Sequence, residues 1–181
     1  GEVESLAGEA VGSLAWAAWD EGRYLDSDRM FTEAFGYAVS AHALDIAVGL
    51  MCHRIQLAIW THRYQDAAAL SDTTMGLPVR DPRMTDYRHL QVGQAYAYAG
   101  RKRDAWAALD RISGDHPDPT TPDVSYAYYM SDWLTGLLSS KSFEMTGNHT
   151  AAVETIESSI DRIPDTDTRD KALGHLHLAK L

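Results

Sequence analysis

The sequence predicts an all-α fold, and three observations carry that prediction. The 6 prolines and 13 glycines among 181 residues are sparse and clustered, leaving long uninterrupted stretches between them. Apolar residues recur at steps of three and four, the period of one helix face. Alternating β-branched runs, the mark of half-buried strands, are absent.

Taken in chain order, helical segments of at least four turns alternate with amphipathic ones across short polar breaks. The first break is Glu21-Gly22-Arg23, followed by the stripe Tyr24, Ser27, Phe31, Ala34, Phe35, Ala38, with Asp26, Asp28, Arg29 and Glu33 on the wet side. The second, Thr61-His62-Arg63, precedes Tyr64, Ala67, Ala68, Ser71 and Met75. Gly100-Arg101-Lys102 precedes Ala105, Trp106, Leu109 and Ile112, and Thr146-Gly147-Asn148 precedes Ala152, Val153, Ile156, Ser159, Ile160 and Ile163. With Gly22, His62, Gly100 and Gly147 as equivalents, the offsets are 40, 38 and 47 residues, a repeat with variable connections. The extra length falls at 77–82 and 114–122, where Asp81-Pro82 and Thr121-Pro122 read as an N-cap followed by a first-turn proline.

Charge and cysteine content narrow the function classes. Sixteen Lys and Arg against 26 Asp and Glu give a net charge of −10, which argues against gripping nucleic acid or anionic lipid by bulk electrostatics. The single Cys52 rules out a disulfide within the chain and every Cys-pair zinc motif. No apolar run approaches the roughly 18 residues of a membrane span, and no signal sequence opens the chain, so we expect a soluble, cytoplasmic protein without membrane partners. The lack of an initiator Met, and an end at Leu181 inside an apolar-periodic helix, lead us to expect a piece of something longer.

Catalysis is not expected. The chain has no Gly-rich phosphate loop, Gly-x-Ser-x-Gly or His-Glu-x-x-His, and no cofactor is implied. Adjacent helical residues Cys52 and His53 diverge by about 100°, as a nucleophile and its base would not. His175 and His177 also diverge, a poor metal site. Asp165, Asp167 and Asp170 read as helix capping rather than a calcium loop. Asn148-His149-Thr150 fits a glycosylation triplet, without meaning in the cytosol.

The repeats resemble the tetratricopeptide unit, two antiparallel helices and a tight turn in about 34 residues. Val92-Gly93, Tyr96, Gly100, Ala105 and Leu109 match its signature best. The first unit offers Leu14, Ala15, Gly22, Tyr24, Ser27, Phe31 and Ala34. The fourth keeps Gly147, Ala152, Ile156 and Pro164 but has Ser139-Ser140 in place of Leu-Gly, and a partial fifth unit places Leu173-Gly174 there. Gly93 and Ala15 are expected to be small because the two helices of a unit cross there, as are Ala105 and Ser27 on the second helix. The resemblance implies a single helical-hairpin solenoid over 1–181, with repeats at about 4–40, 42–77, 82–113 and 122–163 and a partial one at 166–181. More narrowly, residues 6–24, the spacing of Pro119, Pro122, Tyr128 and Asp132, and Ile163-Pro164 before Arg169-x-x-Ala172-Leu173 resemble the C-terminal repeat region of actinobacterial regulators with a lambda-repressor-like helix-turn-helix. That resemblance implies DNA contact only through a domain outside this chain, and a possible homodimer.

In such an array the first helices line the concave face. The shared register projects Trp16, Trp19 and Asp20, then Cys52, Gln56 and Trp60, then Tyr87, Gln94 and Tyr98, then Trp133 and Lys141 onto it. Aromatic area with a few amides and carboxylates suits a small apolar molecule, a peptide or a protein segment. The same rings could instead pack between neighbouring first helices, an expectation that weighs most for Trp16 and least for Trp60 and Tyr98. The cationic clamp that grips a peptide carboxylate in chaperone-docking members is missing, with Gly12, Trp16, Gln56, Leu90 and Gln94 in its places. Two functions follow as expectations: ligand or peptide sensing within a transcriptional regulator, or a constitutive protein-protein adaptor with no small ligand.

Overall fold

A computed structural model describes residues 2–113, 127 and 131–181. Among these residues every regular element is a helix: α1 (Glu2–Asp20), α2 (Tyr24–Ser40), α3 (Leu44–Trp60), α4 (Tyr64–Met75), α5 (Pro82–Tyr98), α6 (Lys102–Leu109), α7 (Asp132–Thr146), α8 (His149–Ile160) and α9 (Thr168–Leu178). The Thr121-Pro122 cap, Pro119, Tyr128 and the start of the fourth repeat at 122 lie outside the described residues.

Five turns between consecutive helices are built alike. Gly22, His42, His62, Gly100 and Gly147 all sit in the left-handed region, at φ of 76°, 58°, 59°, 80° and 81°. Each donates its N–H to a carbonyl three residues back, and the next residue donates to one five back, as in Gly22 to Trp19 (2.8 Å) and Arg23 to Ala18 (2.8 Å). These two bonds satisfy carbonyls that a helix end leaves orphaned, and they fix the exit direction of the chain. All four turn residues read from the sequence adopt this state. His42, between the first two units, was not singled out.

A common turn sets a common crossing. Seven residues before the four unit turns stand Ala15, Ile55, Gly93 and Ser140, and five after them Ser27, Ala67, Ala105 and Ala152; all eight are buried. A Cβ on Gly93 would come within 2.8 Å of the Leu109 side chain. Ser140 takes the glycine's place without disturbing the register, because its hydroxyl donates to the Ala152 carbonyl at 2.8 Å. Gly174 is buried on α9. It faces back onto Ile160 at the end of α8 and Ile163 just beyond it, and a Cβ would meet Ile160 at 2.8 Å, so it packs at the junction with the preceding helix.

Each helix packs on its neighbour in sequence, α6 on α7 least extensively, with the Trp106 indole N–H donating to the Thr146 hydroxyl at 3.0 Å. The odd-numbered helices also touch, α1 on α3, α3 on α5 and α5 on α7. The core is correspondingly rich in alanine: Ala58, Ala67, Ala68, Ala95, Ala97, Ala105 and Ala108 surround Ile55, Val92 and Tyr96 between α3 and α6. Acids on second helices tie successive units together. Asp28 of α2 takes Arg54 at 3.0 Å and Arg63 at 3.7 Å. Asp72 of α4 takes Arg101 at 2.9 Å and the Tyr96 hydroxyl at 2.7 Å.

The connection at 77–82 is pinned rather than loose. Asp45 accepts the N–H groups of Arg80 (2.9 Å) and Asp81 (3.3 Å), and Arg88 donates to the Leu77 carbonyl. Asp81 caps α5 through the Arg83 N–H, with Pro82 in the first turn as its sequence implied. Asn148, in the glycosylation-like triplet, caps α8 by accepting from the Ala151 N–H at 3.3 Å.

The left-handed turns give a direct prediction. His42→Gly relieves Cβ strain and should stabilise the fold by about 0.5–1 kcal/mol in urea unfolding, while Gly100→Ala should cost about 1–2 kcal/mol.

Candidate functional site

Helical spacing brings one group of aromatic side chains together on α1, α2 and α3. Trp16 and Trp19, three apart on α1, stack with ring centroids at 4.7 Å and planes 13° apart. Trp16 turns its ring against Phe31 of α2 at 5.9 Å and His53 of α3 at 4.9 Å, both edge-on. Trp19 leans on Trp60 at 6.4 Å. Trp60, 61% exposed, donates its indole N–H to the Tyr24 hydroxyl at 3.2 Å. On the buried side the chain of rings continues from His53 to Tyr87 of α5 at 6.2 Å. The result is a graded aromatic surface that opens to solvent at Trp60 and closes at His53.

Polar groups flank it. His53, Gln56 and Trp60 follow one another at i, i+3 and i+7 and so share a face of α3, with Gln56 half-buried. Asp20 is exposed one turn beyond Trp16, at the end of α1. The shelf therefore offers indole area, one amide and one carboxylate, a set that binds by contact area and orients by a few hydrogen bonds.

Two buried titratable groups nearby, His53 and Cys52, are held neutral. Burial pushes the His53 imidazole down to about 3, so it is uncharged at neutral pH. Burial likewise pushes the Cys52 thiol up, which suppresses the thiolate a nucleophile needs. Among the described residues no group of three or more His, Cys, Asp and Glu side chains could hold a metal ion.

Several residues projected onto the groove stand elsewhere. Tyr87 is 2% exposed and Cys52 fully buried; both pack with Val48, Met84, Leu90, Leu109 and Ala127. Ala127 belongs to the same buried cluster, and the burial of Tyr87 and Cys52 removes both from any open groove. Gln94 is buried and donates its amide to the Leu138 carbonyl of α7 at 3.3 Å, a bond between first helices. Trp133 packs against Leu137, Ile156 and Ile160. Tyr98 is half-buried and stacks on Tyr64 of α4 at 5.3 Å, the next unit's counterpart of Trp60 on Tyr24. Lys141 is half-buried, and its ammonium is pushed down by burial.

Sequence reasoning passed over His53 and Tyr24 as parts of the shelf. The signal for His53 was its spacing from Gln56 and Trp60 on one face; its adjacency to Cys52 drew attention away from it. A second concavity, about 440 Å³ between the end of α6, α7 and α8, was also missed. It is lined by Asp132, Thr135, Ser139, Phe143, Glu154 and Arg162 among others, and Gly136 lets α7 approach Ser159 there. No helix of the described residues is long and apolar enough to cross a membrane. No family model, curated protein or solved structure matches the chain.

The His53 environment sets a pH dependence. Its folded pKa lies below that of the unfolded imidazole, so the unfolded chain binds the extra proton and stability falls as pH drops below about 6.5, by at most about 1.4 kcal/mol per pH unit from this group. Burial shifts His89 and His177 the same way and adds to the loss. Urea unfolding between neutral pH and pH 4 should show this slope, and His53→Gln should make it shallower.

Proposed function

We propose that this chain is a non-catalytic recognition module, a helical-hairpin array of the tetratricopeptide kind that takes an apolar peptide or small apolar ligand on the aromatic shelf of its first helices. The observation that carries the reading is the run of rings Trp60, Trp19, Trp16 and His53, graded from exposed to buried across α1 and α3. A shelf of this kind presents a large rigid area at low entropic cost, and a ligand spanning α1 and α3 would bias the angle between successive units. In a regulator such a bias would change how an attached DNA-binding domain is presented, and transcriptional sensing is the setting we propose. The hairpin-array reading is supported by the shared turn, the shared crossing positions and the mutual contact of odd-numbered helices.

The test is a thermal-shift and tryptophan-fluorescence screen with a library of apolar hexapeptides and small aromatic compounds. The expected result is a set of ligands that raise Tm and shift Trp emission. Trp60→Ala should weaken them at least tenfold while costing under about 1 kcal/mol of stability, since the indole is mostly exposed. Trp16→Ala should cost about 3 kcal/mol through lost packing. Absence of any ligand, or ligands indifferent to Trp60, would overturn the sensing reading.

A further inference from the structure

The hollow between the end of α6, α7 and α8 has a cause in the repeat itself. Ser139 stands eight residues before Gly147, as Arg54 stands before His62 and Val92 before Gly100. Arg54 and Val92 are met there by the preceding second helix, Arg54 through Asp28 of α2 at 3.0 Å and Val92 in a cluster with Ala67 and Ala68 of α4. For Ser139 the preceding second helix is α6, which is short, 8 residues against 12 in α4 and in α8. Trp106 of α6 bonds Thr146 at the end of α7, and Leu109 shares a cluster with Phe143. The helix ends there, one turn short of Ser139, and a hollow of about 440 Å³ takes the place of its next turn. On the α8 side the fit is tight instead, since a Cβ on Gly136 would collide with the Ser159 hydroxyl.

The hydroxyls that line the hollow from α7 differ from their neighbours. Ser142, Thr146 and Ser159 give their hydrogens to carbonyls one turn back, and Ser140 gives its hydrogen to the Ala152 carbonyl. Thr135 and Ser139, one turn apart on one face of α7, both line the hollow. Their hydroxyls have no hydrogen-bond partner among the described residues, although the Thr135 oxygen is buried and Ser139 is only 9% exposed. Polar groups this enclosed are ordinarily paired, so the pair of hydroxyls points to a guest that completes them.

Charge and lining select the guest. Three carboxylates, Asp110, Asp132 and Glu154, line the hollow with one cation, Arg162, which lies 3.9 Å from Asp132. Asp110 and Glu154 have no ion-pair partner among the described residues, and they stand on different walls, one just past α6 and the other on α8. Leu109, Ile112 and Phe143 supply apolar lining. Two separated negative charges with apolar area fit a chain of methylenes that carries an ammonium at each end. An anion would meet both carboxylates as like charges.

We propose that this hollow binds a linear aliphatic polyamine. Its ammonium groups pair with Asp110 and Glu154, its methylenes lie on Leu109, Ile112 and Phe143, and an ammonium hydrogen is donated to the Ser139 hydroxyl oxygen. The site is separate from the aromatic shelf, being built by the third and fourth units where the shelf belongs to the first two.

Isothermal titration calorimetry of the whole chain with spermidine tests it. One molecule should bind per chain, more tightly than 1-aminobutane, and binding should weaken in about 0.5 M salt as the ion pairs are screened. Glu154→Gln should weaken spermidine by about fivefold or more. Glu157→Gln, which removes the same charge from the same helix outside the hollow, should leave binding within about twofold. Both glutamates are exposed, so these two variants keep the fold. Ser139→Leu should fill the hollow and abolish binding, with its folding checked by circular dichroism, while Trp60→Ala should leave binding unchanged. No heat of binding at millimolar spermidine would overturn the proposal. So would equal losses from the two glutamine variants, the mark of diffuse attraction to an acidic chain, or full binding by a folded Ser139→Leu protein. If Ser139→Leu does not fold, the two glutamine variants decide alone.

Discussion

The structure depends on how closely two helices can approach beside a left-handed turn. Once Gly22, His62, Gly100 or Gly147 fixes the exit of the first helix, the second must cross it near a set point, and only small or matched side chains fit there. Ala15 with Ser27, Gly93 with Ala105 and Ser140 with Ala152 are solutions to that one constraint, and Ile55 with Ala67 is a fourth in which the second helix supplies the room. The alanine-rich core follows from it. Interaxial distance, more than side-chain volume, decides which residues can sit inside.

The aromatic shelf is a consequence of the same geometry. Helices that cross at small residues carry their large side chains away from the crossing, toward the edges where successive first helices meet. Trp16 and Trp19 lie just after the Ala15 crossing, and Trp60 just after Ile55, so their rings come together at the junction of the first two units. Tyr64 and Tyr98 repeat the arrangement one unit further on. Further along the chain Gln94 bonds across to α7, and Tyr87 is buried with Cys52 and Ala127 in one cluster.

Most of the helical framework was legible in the sequence because period and turn chemistry are local properties. The four unit turns, the proline-led start of α5 and the small crossing residues all follow from spacing within a few residues of each other. The turn at His42 was less visible because a histidine in the left-handed region carries no sign as plain as glycine. The site was legible only in part, for a physical reason: periodicity assigns a residue to a face, but how much of that face is covered depends on segments distant in sequence. Trp16, Trp19 and Trp60 were brought together as their shared register implied, whereas Tyr87 and Gln94, equally well placed by register, are buried, Tyr87 in a cluster that includes Ala127 and Gln94 against α7.

The measurement that tests the account most directly is equilibrium unfolding of four single variants, Ser27→Leu, Ala67→Leu, Ala105→Leu and Ala152→Leu, beside Ala107→Leu on the exposed side of α6. If a common crossing holds every pair, each of the four loses at least about 2 kcal/mol from overpacking, while the exposed control changes by less than about 0.5 kcal/mol. Any of the four behaving like the control would contradict a shared crossing, and with it the arrangement from which the shelf arises.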